Sequence, residues 1–242
     1  MILAHTTRRI LGQLRHDRRT VGLLVVVPVL LLTLLYFMYD GQEQLFDHIA
    51  LIMLGIFPFI IMFLVTSIAM LRERTSGTLE RLLTTPLGRM DLLLGYGLAF
   101  GLAAMLQALV TVTIATTVYG LDVTGSVWLV GLIAVVDAVL GVALGLLASA
   151  FARTEFQAVQ FMPVVVLPQF FLCGLLVPVD QMAGWLQVIS HLLPLTYAVE
   201  ALQEVGRSAT ATTTMWVDIA VVAGAALLAL ALAAGTLRRR TN

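Results

Sequence analysis

The chain has 242 residues, of which 60% are hydrophobic and 12% charged, with zero net charge and a mean hydropathy of +1.00. Soluble domains carry about 25% charged residues, and a water-soluble globule of this length could not cover so much apolar surface. Disorder is excluded as well. What remains is an all-α, multi-pass membrane protein with room for about six spans of roughly 20 residues each.

Residues 1–20 hold five arginines (Arg8, Arg9, Arg15, Arg18, Arg19), while Leu3, Ile10, Leu11 and Leu14 fall near one face at helical spacing. This pattern suits an interfacial helix, either a simple positive-inside anchor or a helix that lies along the membrane and also touches a cytosolic partner. The first span is expected over 21–38. It follows a basic segment as a secretory signal does, but it is longer than a signal core. Tyr36-Phe37-Met38-Tyr39-Asp40 offers no small-residue cleavage site, so it reads as a retained helix. The second span is expected over 49–71.

The loop 72–91 carries Arg72, Arg74, Arg81 and Arg89. Thr75, Ser76 and Gly77 suit a turn and a helix start. After Thr78, the residues Leu79, Leu82 and Leu83 share one face of a short helix, with Glu80 and Arg81 pointing elsewhere. Pro86 ends it, because the residue before a proline disfavours helix.

The third span is expected over 92–119 and the fourth over 127–151. Asp137 stands in the middle of the fourth. An aspartate at a helix centre costs roughly 2.5–3.5 kcal/mol on insertion scales. It is therefore expected to face the bundle, either on a substrate path or hydrogen-bonded to a neighbouring helix through Gln107 or Thr111. The fifth span, 156–177, contains Pro163 and Pro168, and its Gln160, Gln169, Phe170 and Phe171 suit an amphipathic ligand or helix–helix hydrogen bonding. Cys173, the only cysteine, excludes an intrachain disulfide and reads as a small buried hydrophobe.

The segment 178–215 contains an uncharged stretch, but Gln187, Ser190, His191, Pro194 and Thr196 make it polar for lipid. Pro178, Trp185, His191, Pro194 and Tyr197 are candidate outer-gate residues, since amphipathic rings prefer the interface. Glu200, Glu204 and Arg207 read as a solvated helix face. The sixth span is expected over 219–237, followed by Arg238, Arg239 and Arg240.

Charge decides between six spans and seven. Counting 1–20, 72–91, the 152–155 turn and the C-terminus, 13 of the 14 arginines fall on one side of a six-span chain, and only Arg207 on the other. Cytoplasmic flanks collect arginine, so both termini are expected in the cytoplasm. The uncharged stretch 181–199 is then expected to enter the membrane from outside and return, or to lie in the interface, within an extracellular or re-entrant segment 178–215, and the whole chain reads as a single membrane domain.

The stretch from Arg72 to Pro86 resembles the cytoplasmic loop of ABC-2 type permeases, the membrane subunits of ATP-driven exporters, with the pattern Arg-x-x-Gly-Thr-Leu-Glu-x-Leu-x-x-(Thr/Ser)-Pro. Arg153-Thr154-Glu155-Phe156-Gln157-Ala158 resembles the family's turn before the fifth span. The run from Phe171 to Gln181, with Trp185 and Pro194-Leu195-Thr196-Tyr197-Ala198, resembles its extracellular hairpin, although a serine is usual near Cys173. The likeness covers nearly the whole chain and is nearest to the daunorubicin-resistance permease group.

The resemblance implies a permease subunit in a bacterial cell membrane that exports an amphipathic drug, antibiotic or lipid. Residues Gly77 to Leu83 and Pro86 would form the coupling helix that docks on the ATPase. Two ABC ATPase subunits, carrying ATP and magnesium, would work with this permease and a second, identical or paralogous one. No cofactor, metal or nucleic acid is expected on this chain: it lacks a phosphate-binding Gly-x-x-x-x-Gly-Lys-(Ser/Thr) and has no lysine. A membrane enzyme is disfavoured, because His5, His16, His48 and His191 form no zinc or nucleophile motif. An ATP-independent carrier or channel would leave the Gly77–Pro86 segment unexplained. Ion extrusion or sensing by a permease of this kind is the alternative role.

Overall fold

Hydropathy dictates helices here, since a chain in lipid must satisfy its backbone groups internally. The computed structural model describes residues 2–75 and 89–236. Among them all regular structure is helical. The order is α1 (Ile2–His16), α2 (Arg18–Met38), α3 (Glu43–Thr75), α4 (Arg89–Thr117), α5 (Val127–Ala148) and α6 (Glu155–Leu172). A 3-10 turn (Val179–Gln181), α7 (Gly184–Ser190), α8 (Pro194–Arg207) and α9 (Thr213–Thr236) complete it. Six of these, α2 to α6 and α9, contain stretches long and apolar enough to cross a membrane.

The helices do not stop where the apolar runs stop. α3 starts at Glu43, six residues before the expected span, and continues through Arg72 and Arg74 to Thr75. α9 starts at Thr213 and takes Asp218 into its second turn. A charge ends the lipid-compatible stretch but not the hydrogen-bond ladder, which continues into the interface. α6 is shorter than expected, ending at Leu172 rather than 177. Gly174, at φ +89°, takes the left-handed conformation that closes many helices and that only glycine adopts without strain.

Contacts sort the helix ends. Arg72 Nε and Nη2 donate to Glu155 at 2.7 and 3.1 Å, and Arg9 pairs with Glu73 at 3.8 Å. The arginine-bearing end of α3, the start of α6 and helix α1 therefore meet at one end of the bundle. At the other end the Asp122 amide donates to Asp47 at 3.2 Å.

α1 lies on α4: Thr6 presses on Gly95, and Ile10 is buried in a cluster with Leu93, Tyr96 and Phe100. Arg8 and Arg15 stay exposed. Leu11 and Leu14, from the apolar face read in the sequence, pack against the same cluster. α3 is the central helix. In its most apolar window 72% of residues are buried, against 17% in α2 and in α6. Its most extensive interface is with α5.

Candidate functional site

Glycine sets the geometry of the α3–α5 seam. A Cβ on Gly141 would strike the Phe59 carbonyl, and one on Gly145 would lie 2.5 Å from the Phe63 carbonyl oxygen. One turn earlier, Asp137 Oδ2 lies 3.3 Å from where a Cβ on Gly55 would be. Gly55, Phe59 and Phe63 thus face Asp137, Gly141 and Gly145 in the same order, so the two helices run parallel. Small residues let backbones approach closely in a membrane, where packing rather than the hydrophobic effect holds helices together. The Gly141-x-x-x-Gly145 spacing is legible in the sequence as a helix-packing motif and was not among the expected features.

α8 closes the same place from the other side. Leu202 sits against Gly55 and Leu51 against Gly206, so α8 runs antiparallel to α3. Its buried face (Leu195, Ala198, Val199, Ala201, Leu202, Val205) belongs to the core. Its first residue is Pro194, where proline's fixed φ and missing N–H suit a helix start.

Asp137 is fully buried at this junction of α3, α5 and α8. Among the described residues, neither of its carboxyl oxygens has a hydrogen-bond partner. The expected bond from Gln107 or Thr111 is not formed. α4 and α5 run antiparallel, with Gly101 against Val139 and Leu109 against Gly131. This register sets Gln107 about one turn, roughly 6 Å, along the axis from Asp137. Thr111 donates instead to the Gln107 carbonyl at 2.8 Å, and both amide atoms of Gln107 are buried without a partner.

The other candidate path residues are not brought to Asp137. Gln169 is buried and ties α6 to α8: its Nε2 donates to the Val165 carbonyl at 3.1 Å, and its Oε1 accepts from the Leu195 amide at 3.4 Å. Gln160 is exposed. Phe170 and Phe171 meet edge to face at 5.7 Å, with Phe171 turned outward on the apolar flank of α6.

Of the candidate gate residues, the structure brings His191 and Tyr197 together. Pro178 precedes the 3-10 turn. Gln187 Nε2 donates to the carbonyls of Asp180 and Met182, at 3.1 and 2.9 Å. Tyr197 donates to the His191 carbonyl at 2.8 Å, and Trp185 is exposed on α7. The anchor of the hairpin was not expected from the sequence. Buried Ser190 donates to the Leu172 carbonyl at 2.7 Å, and Thr196 donates to the Ser190 carbonyl at 2.8 Å. These bonds fasten α7 and α8 to the end of α6.

The expected coupling segment, Gly77, Thr78, Leu79, Glu80, Arg81, Leu82, Leu83 and Pro86, lies outside the described residues, as do Arg238 to Arg240. No group of three or more His, Cys, Asp or Glu among the described residues is placed to hold a metal ion.

The sequence pattern of the ABC-2 type transporter family matches residues 2–205. This chain belongs to the ABC-2 type transporter family. ABC transporter G family member 20 of Dictyostelium discoideum is 28% identical over 168 residues, which is 69% of this chain and 23% of that protein. The probable multidrug ABC transporter permease YbhR of Escherichia coli K12 is 30% identical over 142 residues, 59% of this chain and 39% of the relative. The probable multidrug ABC transporter permease YbhS of the same organism is 28% identical over 141 residues, 58% of this chain and 37% of that relative. The aligned part of the chain thus spans between about a quarter and two fifths of these relatives' lengths. With its family and its six apolar helices, this ABC-2 chain is a multi-pass membrane protein.

Proposed function

We propose that this chain is the membrane-spanning permease subunit of an ATP-driven exporter that moves an amphipathic drug, antibiotic or lipid-like molecule out of the cytoplasm. ATP and magnesium belong to separate ATPase subunits, two per complex, and a second permease completes the pathway. Both termini face the cytoplasm of a bacterial cell, with the 178–215 hairpin outside.

One observation carries this reading beyond the family match. α3 is a single helix from Glu43 to Thr75, about 50 Å long, and the hydrocarbon core of a bilayer is only about 30 Å thick. Its arginine-bearing end leads directly into the Gly77–Pro86 segment, while its middle is locked against Asp137, Gly141 and Gly145. A push on that segment is thereby transmitted to the bundle core. Leu79, Leu82 and Leu83 supply the apolar face that docks on the ATPase, and Glu80 and Arg81 orient it. The apolar, aromatic outer face of α6 around Gln160 and Phe171 is the substrate-facing wall in this proposal, with Trp185, His191 and Tyr197 at the exit.

Leu82→Asp tests it. Burial of one leucine is worth roughly 1.5–3 kcal/mol, so the variant is expected to bind the ATPase at least tenfold more weakly, with transport lost and membrane insertion unchanged. Co-purification of the ATPase with a transport assay measures this. Normal ATPase binding and normal transport would overturn the assignment.

A further inference from the structure

A cleft of about 470 Å³ opens between the α1–α2 elbow and helices α3 and α4. Leu64, Ile68 and Phe100 line its apolar part, and Asp17, Thr20 and Arg72 its polar part. Arg72 lies two turns beyond Leu64 on α3, so the polar mouth stands about 12 Å from the apolar end. The mouth is at the arginine-rich end of the bundle. α2, which forms one wall, is held loosely, and its rim residue Leu23 is 57% exposed.

The mouth presents both signs of charge. Asp17 caps α2, with Oδ1 accepting from the Thr20 amide at 3.1 Å and Oδ2 from the Thr20 hydroxyl at 2.6 Å. These bonds hold its carboxyl below the usual carboxylate range. No ion pair among the described residues includes Asp17. Arg72 uses Nε and Nη2 on Glu155, and Nη1 enters neither bond. Glu73, also at the mouth, pairs with Arg9.

We propose that this cleft binds one aminophospholipid from the leaflet at the arginine-rich end, its acyl chain along Leu64, Ile68 and Phe100, its ammonium on Asp17 and its phosphate on Arg72. Charge complementarity selects the headgroup. An anionic lipid without an ammonium draws Arg72, whose charge already attracts Asp17, onto its phosphate, gives Asp17 no cation in return and sets a like charge beside Glu73. A cationic amphiphile without a phosphate leaves Arg72 Nη1 unanswered.

Native mass spectrometry of the full chain in detergent, titrated with phosphatidylethanolamine or phosphatidylglycerol of the same acyl chains, tests this. The wild type is expected to retain one phosphatidylethanolamine per chain, about fivefold more tightly than phosphatidylglycerol, the upper end for one partly exposed ion pair. Asp17→Asn should erase that preference and keep the fold, because asparagine caps a helix as well as aspartate. Ile68→Trp, which fills the apolar part, should lose both lipids, with folding checked by thermal unfolding. Soluble phosphoethanolamine should not displace the bound lipid. Equal retention of the two lipids by the wild type, a preserved preference in Asp17→Asn, or displacement by the soluble headgroup would each overturn the proposal.

Discussion

The α3–α5 seam and the outer faces of α2 and α6 are made of the same apolar residue types and behave as different materials. In the seam, backbones touch through Gly141 and Gly145, and Phe59 and Phe63 are fully buried. On α2 and α6, Val26, Leu30, Phe37, Val164 and Phe171 point away from the bundle. Hydropathy cannot tell these regions apart, because lipid accepts an apolar side chain as readily as a packed core does. Residue size, and above all glycine, separates the rigid part from the part left for lipid or a partner.

The largest effect should come from breaking the seam. Gly141→Leu forces α5 off the Phe59 carbonyl and should destabilise the fold by about 3 kcal/mol, the upper end for overpacking. Gly224 on α9 has open space where its side chain would be, so Gly224→Leu should stay within about 0.5 kcal/mol. Thermal unfolding of the two variants in the same detergent checks the contrast, and similar losses would erase it. Next comes the hairpin anchor: Ser190→Ala leaves the Leu172 and Thr196 groups without their buried partner and should cost about 1–2 kcal/mol, read by the same unfolding measurement. Arg72→Ala should cost less, about 0.5 kcal/mol, because the side chains of Arg72 and Glu155 are 60% and 53% exposed. The same loss from pairwise removal of either partner would confirm that value.

Asp137→Asn should be smallest of all in stability. The carboxyl has no hydrogen bond to lose, and the amide keeps its size. A melting temperature within about 2 °C of wild type is expected. If transport falls all the same, Asp137 acts in the transport cycle rather than in the fold.

The six apolar helices were legible because partitioning into lipid is a local property, averaged over a window of sequence. The helix ends were less so. The expected sixth span begins just after Asp218, yet that residue sits inside α9, whereas Gly174, a visible stop signal, ends α6 early. Site geometry was legible only where it is local. Tyr197 and His191 are six residues apart and do meet. The pairing of Asp137 with Gln107 depended on the register of two helices, and the register sets them a turn apart. Gly141 and Gly145 announced a close approach but not its partner, since the Phe59 and Phe63 carbonyls carry no side-chain signature.

The contact point on α3 has a mechanical meaning. Phe59, at the centre of the glycine seam, is sixteen residues from Glu43 and sixteen from Thr75, arms of about 24 Å each. Pro58 stands beside that contact and removes one rung of the hydrogen-bond ladder, so the midpoint of α3 is both its anchor and its weakest joint. Moved as one body about Phe59, α3 would carry its two ends by equal distances in opposite directions. Bending at Pro58 would instead let one arm swing while the other stays in place.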